Sequence, residues 1–177
     1  MLMAKLKKTL VLLCLIAFST FATAQKVIKS YIKKYESLAV DKAEEYEIPA
    51  SIILGVSIVE SGAGKSVICK ALKNFFGIKG KNWSSEKKMG YKSAYREYNT
   101  EEESFEHFCQ VVSKKRFYAK LKGNSDYKVW LQEMNKASYA SAKQKWIDDI
   151  TKTIEKYDLD ELDKDDITVP GGAVTLK

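Results

Sequence analysis

The sequence predicts a mainly α-helical protein, and three observations support this. Apolar residues recur at helical spacing through most of the chain, two capping boxes open such segments, and strand signals are confined to one short stretch. Within the 177 residues we expect a leader at 1–24, one domain at 25–160 that is long enough to bury a core, and a mobile tail at 161–177.

The first 24 residues have the pattern of an export signal. Three lysines precede an apolar segment at residues 9–21, and the motif Ala22-Thr23-Ala24 follows it. The apolar segment is too short for a comfortable membrane span, although an uncleaved anchor is the alternative. We therefore expect cleavage before Gln25 and an exported protein, periplasmic or extracellular, with no stable membrane span after cleavage.

Charge and the scarcity of metal ligands limit the classes of partner. Removal of the three leader lysines lowers the formal net charge from +7 to +4, an excess that requires no nucleic-acid partner and suits an anionic cell surface. The single histidine, His107, excludes zinc sites built on several histidines and is expected to be structural. We expect no metal, no cofactor and a monomer. For Cys69 and Cys109 the sequence permits two alternatives, a disulfide or two buried thiols.

Two helices are predicted in the first third of the mature chain. Apolar residues at helical spacing predict a helix over residues 26–46, which the pair Ile48-Pro49 ends. Pro49 suits the first position of the next helix, which extends to about Glu60. A buried strand is the competing interpretation of the apolar run in residues 52–59.

The middle of the chain is the least helical part. We predict a short helix at residues 64–72 and a compact aromatic turn at 74–79. Glycine, serine and asparagine residues then indicate loops over residues 80–97, with at most a small hairpin around 91–98.

Three helices are predicted after residue 99. Thr100 and Glu103 form a capping box that opens the first of them. A second helix fits residues 126–136, and a capping box of Ser141 and Gln144 opens a third helix that continues to Tyr157, with Trp146 on its buried face.

Glu60-Ser61-Gly62, at the end of the second predicted helix, is the strongest candidate for chemistry. Apolar neighbours and the negative end of the helix dipole both disfavour an ionised carboxylate, and a glycine just beyond lets the chain turn away. A protonated glutamate in a cleft can act as the general acid of glycoside hydrolysis. A surface glutamate in a helix C-cap is the alternative.

The residues that follow Glu60 resemble the end of a phosphate-binding P-loop. Gly62-Ala63-Gly64-Lys65-Ser66 has the closing residues of that motif, but the motif requires a glycine five positions before Gly64, where this chain has Val59. A P-loop also follows a strand, and the preceding run here is helical in its spacing. The sequence therefore argues against a nucleotide site.

Several segments in order resemble glycoside hydrolase family 73, the mannosyl-glycoprotein endo-beta-N-acetylglucosaminidase-like glucosaminidase domains of bacterial autolysins. The resemblance covers roughly residues 40–160. The matching segments are Ile48-Pro49-Ala50-Ser51, Glu60-Ser61-Gly62-x-Gly64-Lys65-Ser66, Asn74-Phe75-Phe76-Gly77-Ile78-Lys79, Tyr95-Arg96-x-Tyr98, Glu103-Ser104 with His107, Arg116-Phe117 and Tyr139-Ala140-Ser141.

The resemblance implies a lysozyme-like helical fold with a small lobe beside a substrate groove. It implies a secreted, cell-wall-associated hydrolase that cleaves the bond after N-acetylglucosamine in peptidoglycan glycan strands. Glu60 takes the place of the catalytic acid and Tyr139 that of an active-site tyrosine, for which a packed core tyrosine is the alternative. The groove-lining motif supplies four candidate substrate-binding residues: Asn74, Phe76, Gly77 and Lys79.

The lobe that carries the second carboxylate in this family is shortened here. Only residues 80–94 separate Lys79 from Tyr95, and Glu86 is the one acid among them, which makes it the candidate base by position, with a solvated loop glutamate as the alternative. Trp83 is a candidate sugar-stacking platform or a packing plug for the lobe. The carboxyl separation distinguishes inversion from retention, and participation of the substrate N-acetyl group replaces the base if Glu86 is too far.

Two other functions remain alternatives to a glucosaminidase. A lysozyme-type N-acetylmuramidase would use the same fold and acid and cleave on the other side of the sugar repeat. A non-catalytic wall-binding module on the same fold is the third interpretation, because the lobe is shortened.

Overall fold

The computed structural model describes residues 25–137 and 143–164, and within them the chain is mostly helical, as predicted. One antiparallel bridge, between Lys79 and Tyr95, is the sole strand-like pairing of these residues. None of the helices in this part of the chain has the length and apolar character needed to cross a membrane. The helices are α1 (25–46), α2 (Ala50–Ser61), α3 (Val67–Leu72), α4 (Ser85–Met89), α5 (Glu101–Ser113), α6 (Tyr118–Leu121), α7 (Tyr127–Lys136), α8 (Lys143–Tyr157) and a 3-10 helix (Leu159–Asp163).

Helix α2 lies at the centre of the domain. It is apolar on all sides and buried along most of its length, which is the pattern of a helix surrounded by other elements rather than one facing solvent. It packs against α7, α8 and the 3-10 helix. Gly55 permits the close approach of α8, because a Cβ atom there would lie 3.0 Å from Ile154 and 3.3 Å from Ile150. Pro49, which was predicted to be the first residue of this helix, is instead its N-cap, so α2 begins one residue later, at Ala50.

An aromatic cluster joins α1 and α5 to the turn at residues 74–79. Phe76 stacks on Phe108 with 4.2 Å between ring centroids, and Phe105 contacts both Phe75 and Tyr35. Burial of these large rings supplies much of the hydrophobic stabilisation at this end of the molecule. The aromatic residues that the sequence placed in a compact turn therefore anchor that turn to the core.

Residues 80–97 were predicted to form loops with at most a small hairpin, and the structure differs from this. It contains the short helix α4, and the pairing between its two ends is limited to a few backbone hydrogen bonds. The Gly80 amide donates to the Ala94 carbonyl at 2.9 Å, and the Arg96 amide donates to the Ile78 carbonyl at 2.8 Å. These residues form the small lobe, which is closed by this pairing without a β-hairpin.

Local signals account for several helix ends. Thr100 accepts a hydrogen bond from the Glu103 amide at 3.0 Å, while the Glu103 carboxylate accepts from the Asn99 amide at 2.8 Å, one residue before the position expected of a capping box. Inside α5, His107 has the structural partner that a packing role requires, since its Nδ1 lies 2.8 Å from the Tyr98 hydroxyl. The second predicted capping box begins at Ser141, which lies outside the described residues.

The two cysteines left open by the sequence are buried free thiols in this structure, and Cys109 is fully buried. Burial raises the pKa of both thiols well above the usual value, to about 12 for Cys69. The aromatic and aliphatic core around them supplies stability without a covalent link.

The packed domain extends beyond residue 160, where the sequence predicted its end. Leu159 is buried, and the Asp163 carboxylate accepts hydrogen bonds from both the backbone amide of Ser51, at 2.9 Å, and its hydroxyl. Pro49, the N-cap of α2, makes no side-chain capping bond, so Asp163 performs that role from a distant part of the chain. The predicted tail thus includes residues 161–164 that pack on α2, while residues 165–177 lie outside the described part.

Replacement of Asp163 by alanine is expected to lower the free energy of unfolding by about 1–2 kcal/mol, the cost of losing an N-terminal cap. Thermal unfolding followed by circular dichroism should show the loss as a decrease in Tm of several degrees. Asp160→Ala, on the same 3-10 helix, is the matched control. An equal decrease in both variants would contradict the capping role.

Candidate active site

Glu60 stands at the end of α2, where the chain reverses. Gly62 adopts φ 58°, a left-handed conformation that suits glycine, and its amide bonds back to the last turn of the helix. The Ser61 hydroxyl donates to the Ser57 carbonyl at 2.6 Å and accepts from the Gly64 amide at 2.8 Å. These bonds fix the turn, so Glu60 projects from a rigid helix end rather than from a loop.

The two carboxyl oxygens of Glu60 have different neighbours. Oε1 accepts a hydrogen bond from the Trp146 indole nitrogen at 2.8 Å. Oε2 lies 3.4 Å from the point where a Cβ atom on Gly77 would be, and the Tyr95 ring lies 3.9 Å from the same point. The site therefore combines α2, α8, the aromatic turn and the end of the small lobe.

The environment of Glu60 favours its protonated form. Burial raises the pKa of this carboxyl above its usual value of 4.5, and the hydrogen bond from Trp146 acts in the opposite direction without cancelling the increase. The glutamate is partly buried and partly exposed. This is the combination that a general acid requires, because the group must hold a proton and reach a ligand.

Gly77, in the aromatic turn, lies beside the Glu60 carboxyl. Its φ of 64° is a conformation in which a side chain is strained, and the absence of a side chain leaves room beside Oε2. Gly77 is thus a predicted substrate-binding residue that the structure places beside the acid.

Two other predicted substrate-binding residues lie inside the protein. The Asn74 side-chain amide donates to the carbonyls of Ile78 and Arg96, both at 2.8 Å, and its oxygen accepts from the Ile78 amide at 3.1 Å. Phe76 is 2% exposed and stacks in the aromatic cluster. The structure corrects the expectation of direct contact: these residues shape the turn from behind, because their polar atoms or rings are already occupied.

The remaining predicted residues are on the small lobe or outside the described chain. Lys79 is exposed beside its bridge partner Tyr95. Trp83 is 63% exposed, so it does not pack as a plug, and its ring remains available to stack on a ligand. Glu86 is exposed on α4, and within the described residues no hydrogen bond or ion pair joins it to Glu60. Tyr139 lies outside the described residues.

Glu97 organises the small lobe, and sequence reasoning did not identify it. Its buried carboxylate accepts hydrogen bonds from the backbone amides of Trp83 and Ser84, both at 2.8 Å, from the Ser84 hydroxyl and from the Lys88 ammonium group at 2.9 Å. Burial acts to raise the pKa of Glu97, but these hydrogen bonds outweigh burial and lower the pKa to about 2. The lobe is therefore held by a single ionised carboxylate.

This arrangement predicts acid sensitivity of the domain. A carboxylate whose pKa is depressed on folding stabilises the protein above its unfolded pKa of 4.5, and the stabilisation is lost as the pH falls from 4.5 toward 2. We expect a decrease of about 2–3 kcal/mol across that interval. Urea unfolding at several pH values should show a smaller decrease for Glu97→Gln, and an unchanged slope would contradict the assignment.

Trp146 is the residue of the site that the sequence analysis placed only in the core. It is buried, and a buried indole N–H requires an acceptor, which is the one signal that pointed beyond packing. Within residues 25–137 and 143–164, no cluster of three His, Cys, Asp or Glu side chains is arranged to hold a metal ion. At the candidate site the described residues place a carboxylic acid beside an indole donor.

Comparisons with known proteins bear on the family and the fold. A family model described as mannosyl-glycoprotein endo-beta-N-acetylglucosaminidase matches residues 36–159. The exo-glucosaminidase LytG of Bacillus subtilis (strain 168) is 28% identical over 138 residues, which is 68% of this chain and 48% of that protein. The chain thus spans about half the length of this curated relative.

Solved structures share the fold at low sequence identity. The catalytic domain of the autolysin Auto from Listeria monocytogenes has a TM-score of 0.62 and 21% identity, over 77% of this chain and 88% of that one. A peptidoglycan hydrolase from Sphingomonas sp. A1 has a TM-score of 0.58 and 21% identity, over 84% and 99%. These likenesses establish the lysozyme-like fold, and the match of the family model to most of the domain shows that the chain belongs to the glucosaminidase family, glycoside hydrolase family 73.

Proposed function

We propose that the protein is an exported peptidoglycan hydrolase that cleaves the glycosidic bond after N-acetylglucosamine, with Glu60 as general acid. The observation that carries the proposal is the Glu60 carboxyl itself. It is largely buried, its pKa is raised, and it is held by Trp146 at the edge of the aromatic turn. Membership of the glucosaminidase family supports the substrate class.

In the proposed reaction, Glu60 donates its proton to the leaving glycosidic oxygen as the bond to the anomeric carbon breaks. The carboxylate that forms is stabilised by the Trp146 N–H, which is already in hydrogen-bond contact with Oε1. Gly77 leaves space at Oε2, so we assign proton transfer to this oxygen. Trp146 and the space beside Gly77 thus lie at different oxygens of the same carboxyl.

Analysis of product ends tests the bond that is cleaved. Purified peptidoglycan is digested with the protein and the released fragments are examined by mass spectrometry after reduction of their ends. Reducing N-acetylglucosamine supports the proposal. Reducing N-acetylmuramic acid would instead identify an N-acetylmuramidase, and binding to the wall without cleavage at any pH would identify a non-catalytic wall-binding module.

We propose Glu86 as the base. It is the one acid among residues 80–94, and its exposed position gives water access to it. On this proposal, Glu86→Gln lowers the rate by at least about 100-fold, the lower end of general-base effects. Initial rates on purified wall measure this, and Glu102→Gln, another exposed helical glutamate, is the control. Activity within about threefold of the wild type rejects Glu86 and assigns its part to the substrate N-acetyl group, which Tyr139 would orient.

A further inference from the structure

Tyr95 lies beside the candidate acid, in the last part of the small lobe. Its ring atom Cε1 is 3.9 Å from the point where a Cβ atom on Gly77 would be, and Glu60 Oε2 is 3.4 Å from the same point. The two atoms can therefore be no further apart than the sum of these distances. Because Gly77 contributes no side chain between them, a single group of a bound ligand can approach both residues.

The backbone of Tyr95 is held on both sides. Its amide donates a hydrogen bond to the Ser93 hydroxyl at 3.1 Å, and its carbonyl accepts one from the Asn82 side-chain amide at 3.0 Å. The antiparallel bridge to Lys79 joins the same residue to the end of the aromatic turn. A side chain on a backbone fixed in this way is in position before a ligand arrives, which lowers the entropic cost of binding.

The hydroxyl of Tyr95 makes no hydrogen bond to any other residue within 25–137 and 143–164. Several other tyrosine hydroxyls in the same part of the chain are paired: Tyr31 with the Ser57 hydroxyl at 3.1 Å, Tyr98 with His107 at 2.8 Å, and Tyr118 with the Tyr46 carbonyl at 2.7 Å. Tyr95 is half-buried, so its ring is packed while its hydroxyl keeps a donor that no described residue uses.

The position of Tyr95 indicates the kind of group that its hydroxyl would meet. In the proposed reaction the scissile bond lies at Glu60 Oε2, so the ligand atoms near Tyr95 belong to substituents next to that bond. In a glycan strand these are sugar hydroxyl and acetamido groups, whose oxygens are neutral acceptors. A phenol O–H is a neutral donor and is suited to such acceptors.

We propose that Tyr95 is a substrate-positioning residue whose hydroxyl donates a hydrogen bond to a neutral oxygen of the sugar beside the scissile glycosidic bond. This inference rests on the proposed function, because it takes a glycan as the ligand at Glu60. The hydrogen bond holds the glycosidic oxygen in line with Oε2, so that proton transfer starts from an aligned complex. The part of Tyr95 is therefore separate from the proton of Glu60 and from the Trp146 contact at Oε1.

Tyr95→Phe removes the hydroxyl and keeps the ring, so steady-state kinetics on soluble, peptide-free glycan strands test the proposal. We expect kcat/KM to fall about 3- to 10-fold, the effect of losing one hydrogen bond to a neutral group. Tm and the rate–pH profile should remain those of the wild type, because the hydroxyl has no partner in the described fold and does not hold the proton of Glu60.

Tyr118→Phe is the matched control. Its hydroxyl donates to the Tyr46 carbonyl at 2.7 Å, so its loss should lower Tm and leave kcat/KM within about twofold of the wild type. For Tyr95→Phe, activity within the same twofold would show that the hydroxyl touches no substrate. A shifted rate–pH profile would show that it acts on the Glu60 carboxyl instead of on the glycan. Either result overturns the proposal.

Binding without cleavage separates this inference from the hydrolase proposal. Calorimetry with the same glycan strands compares Glu60→Gln with the double variant Glu60→Gln/Tyr95→Phe, and the double variant should have a Kd about 3- to 10-fold higher. An equal Kd in the two variants would reject the role of Tyr95 even if the wild type cleaves glycan. A higher Kd together with no cleavage by the wild type would reject the hydrolase proposal and retain Tyr95 as a glycan contact.

Discussion

Replacement of Glu60 by glutamine is expected to lower the rate of glycan hydrolysis by about 10²- to 10⁴-fold or more, because transition-state proton donation alone contributes that much. Glutamine keeps the size of the side chain and an oxygen that can accept the Trp146 hydrogen bond, but its amide has no acidic proton to transfer. Initial rates of reducing-end formation from purified peptidoglycan measure the effect. Full activity in this variant would exclude Glu60 as the acid.

The same variant should be at least as stable as the wild type at neutral pH. Burial raises the pKa of Glu60 on folding, so the ionised side chain opposes the folded state at pH values above its unfolded pKa. Glutamine removes that penalty, and we expect an equal or higher Tm near pH 7. A large decrease in Tm would mean that the loss of activity reflects unfolding instead of lost proton donation.

Replacement of Trp146 by phenylalanine is expected to lower the rate about 10- to 100-fold. The indole N–H stabilises the carboxylate that Glu60 becomes after it donates its proton, and a hydrogen bond to a charged group contributes about 1.5–3 kcal/mol. The same loss raises the pKa of Glu60, since a donor to the ionised form lowers it. Activity, which requires protonated Glu60, should therefore persist to a higher pH than in the wild type, as a rate–pH profile would show.

A matched substitution elsewhere separates this role from packing. Trp130 is also buried and donates its indole N–H, at 2.7 Å, to the Asn124 carbonyl rather than to Glu60. Trp130→Phe should lower Tm and leave the pH profile unchanged. If both tryptophan variants have the same profile as the wild type, Trp146 acts only as a core residue.

Much of the helical frame could be predicted because its causes are local. The apolar run and the proline before it defined α2, and the glycine after Glu60 marked its end. The capping-box pattern of Thr100 and Glu103 predicted the start of α5, and in the structure Thr100 accepts the expected hydrogen bond from the Glu103 amide. Glu60 could be chosen as a candidate for the same reason, because the apolar run before it and the glycine after it are its sequence neighbours.

The parts that escaped prediction depend on contacts between distant residues. Trp146 meets Glu60 across 86 positions, and no spacing rule connects them. Glu97 binds the backbone amides of Trp83 and Ser84 across 14 and 13 positions, which no local signal reveals. Helix α4 has five residues and little apolar periodicity, so it could not be recognised as a helix. Asp163 belongs to an acidic stretch typical of a tail, and only its contact with Ser51 shows that this stretch is packed.

The close packing at Gly55 couples the two halves of the site. Helix α2 carries the acid and α8 carries the indole that holds it, and a hydrogen atom is the only side chain between α2 and Ile154 at this crossing. A larger residue would separate the helices by a few tenths of an ångström or more, a movement transmitted to the other end of each rigid rod. Gly55 therefore offers a means to tune the strength of the acid from within the core, without altering any group that a glycan touches.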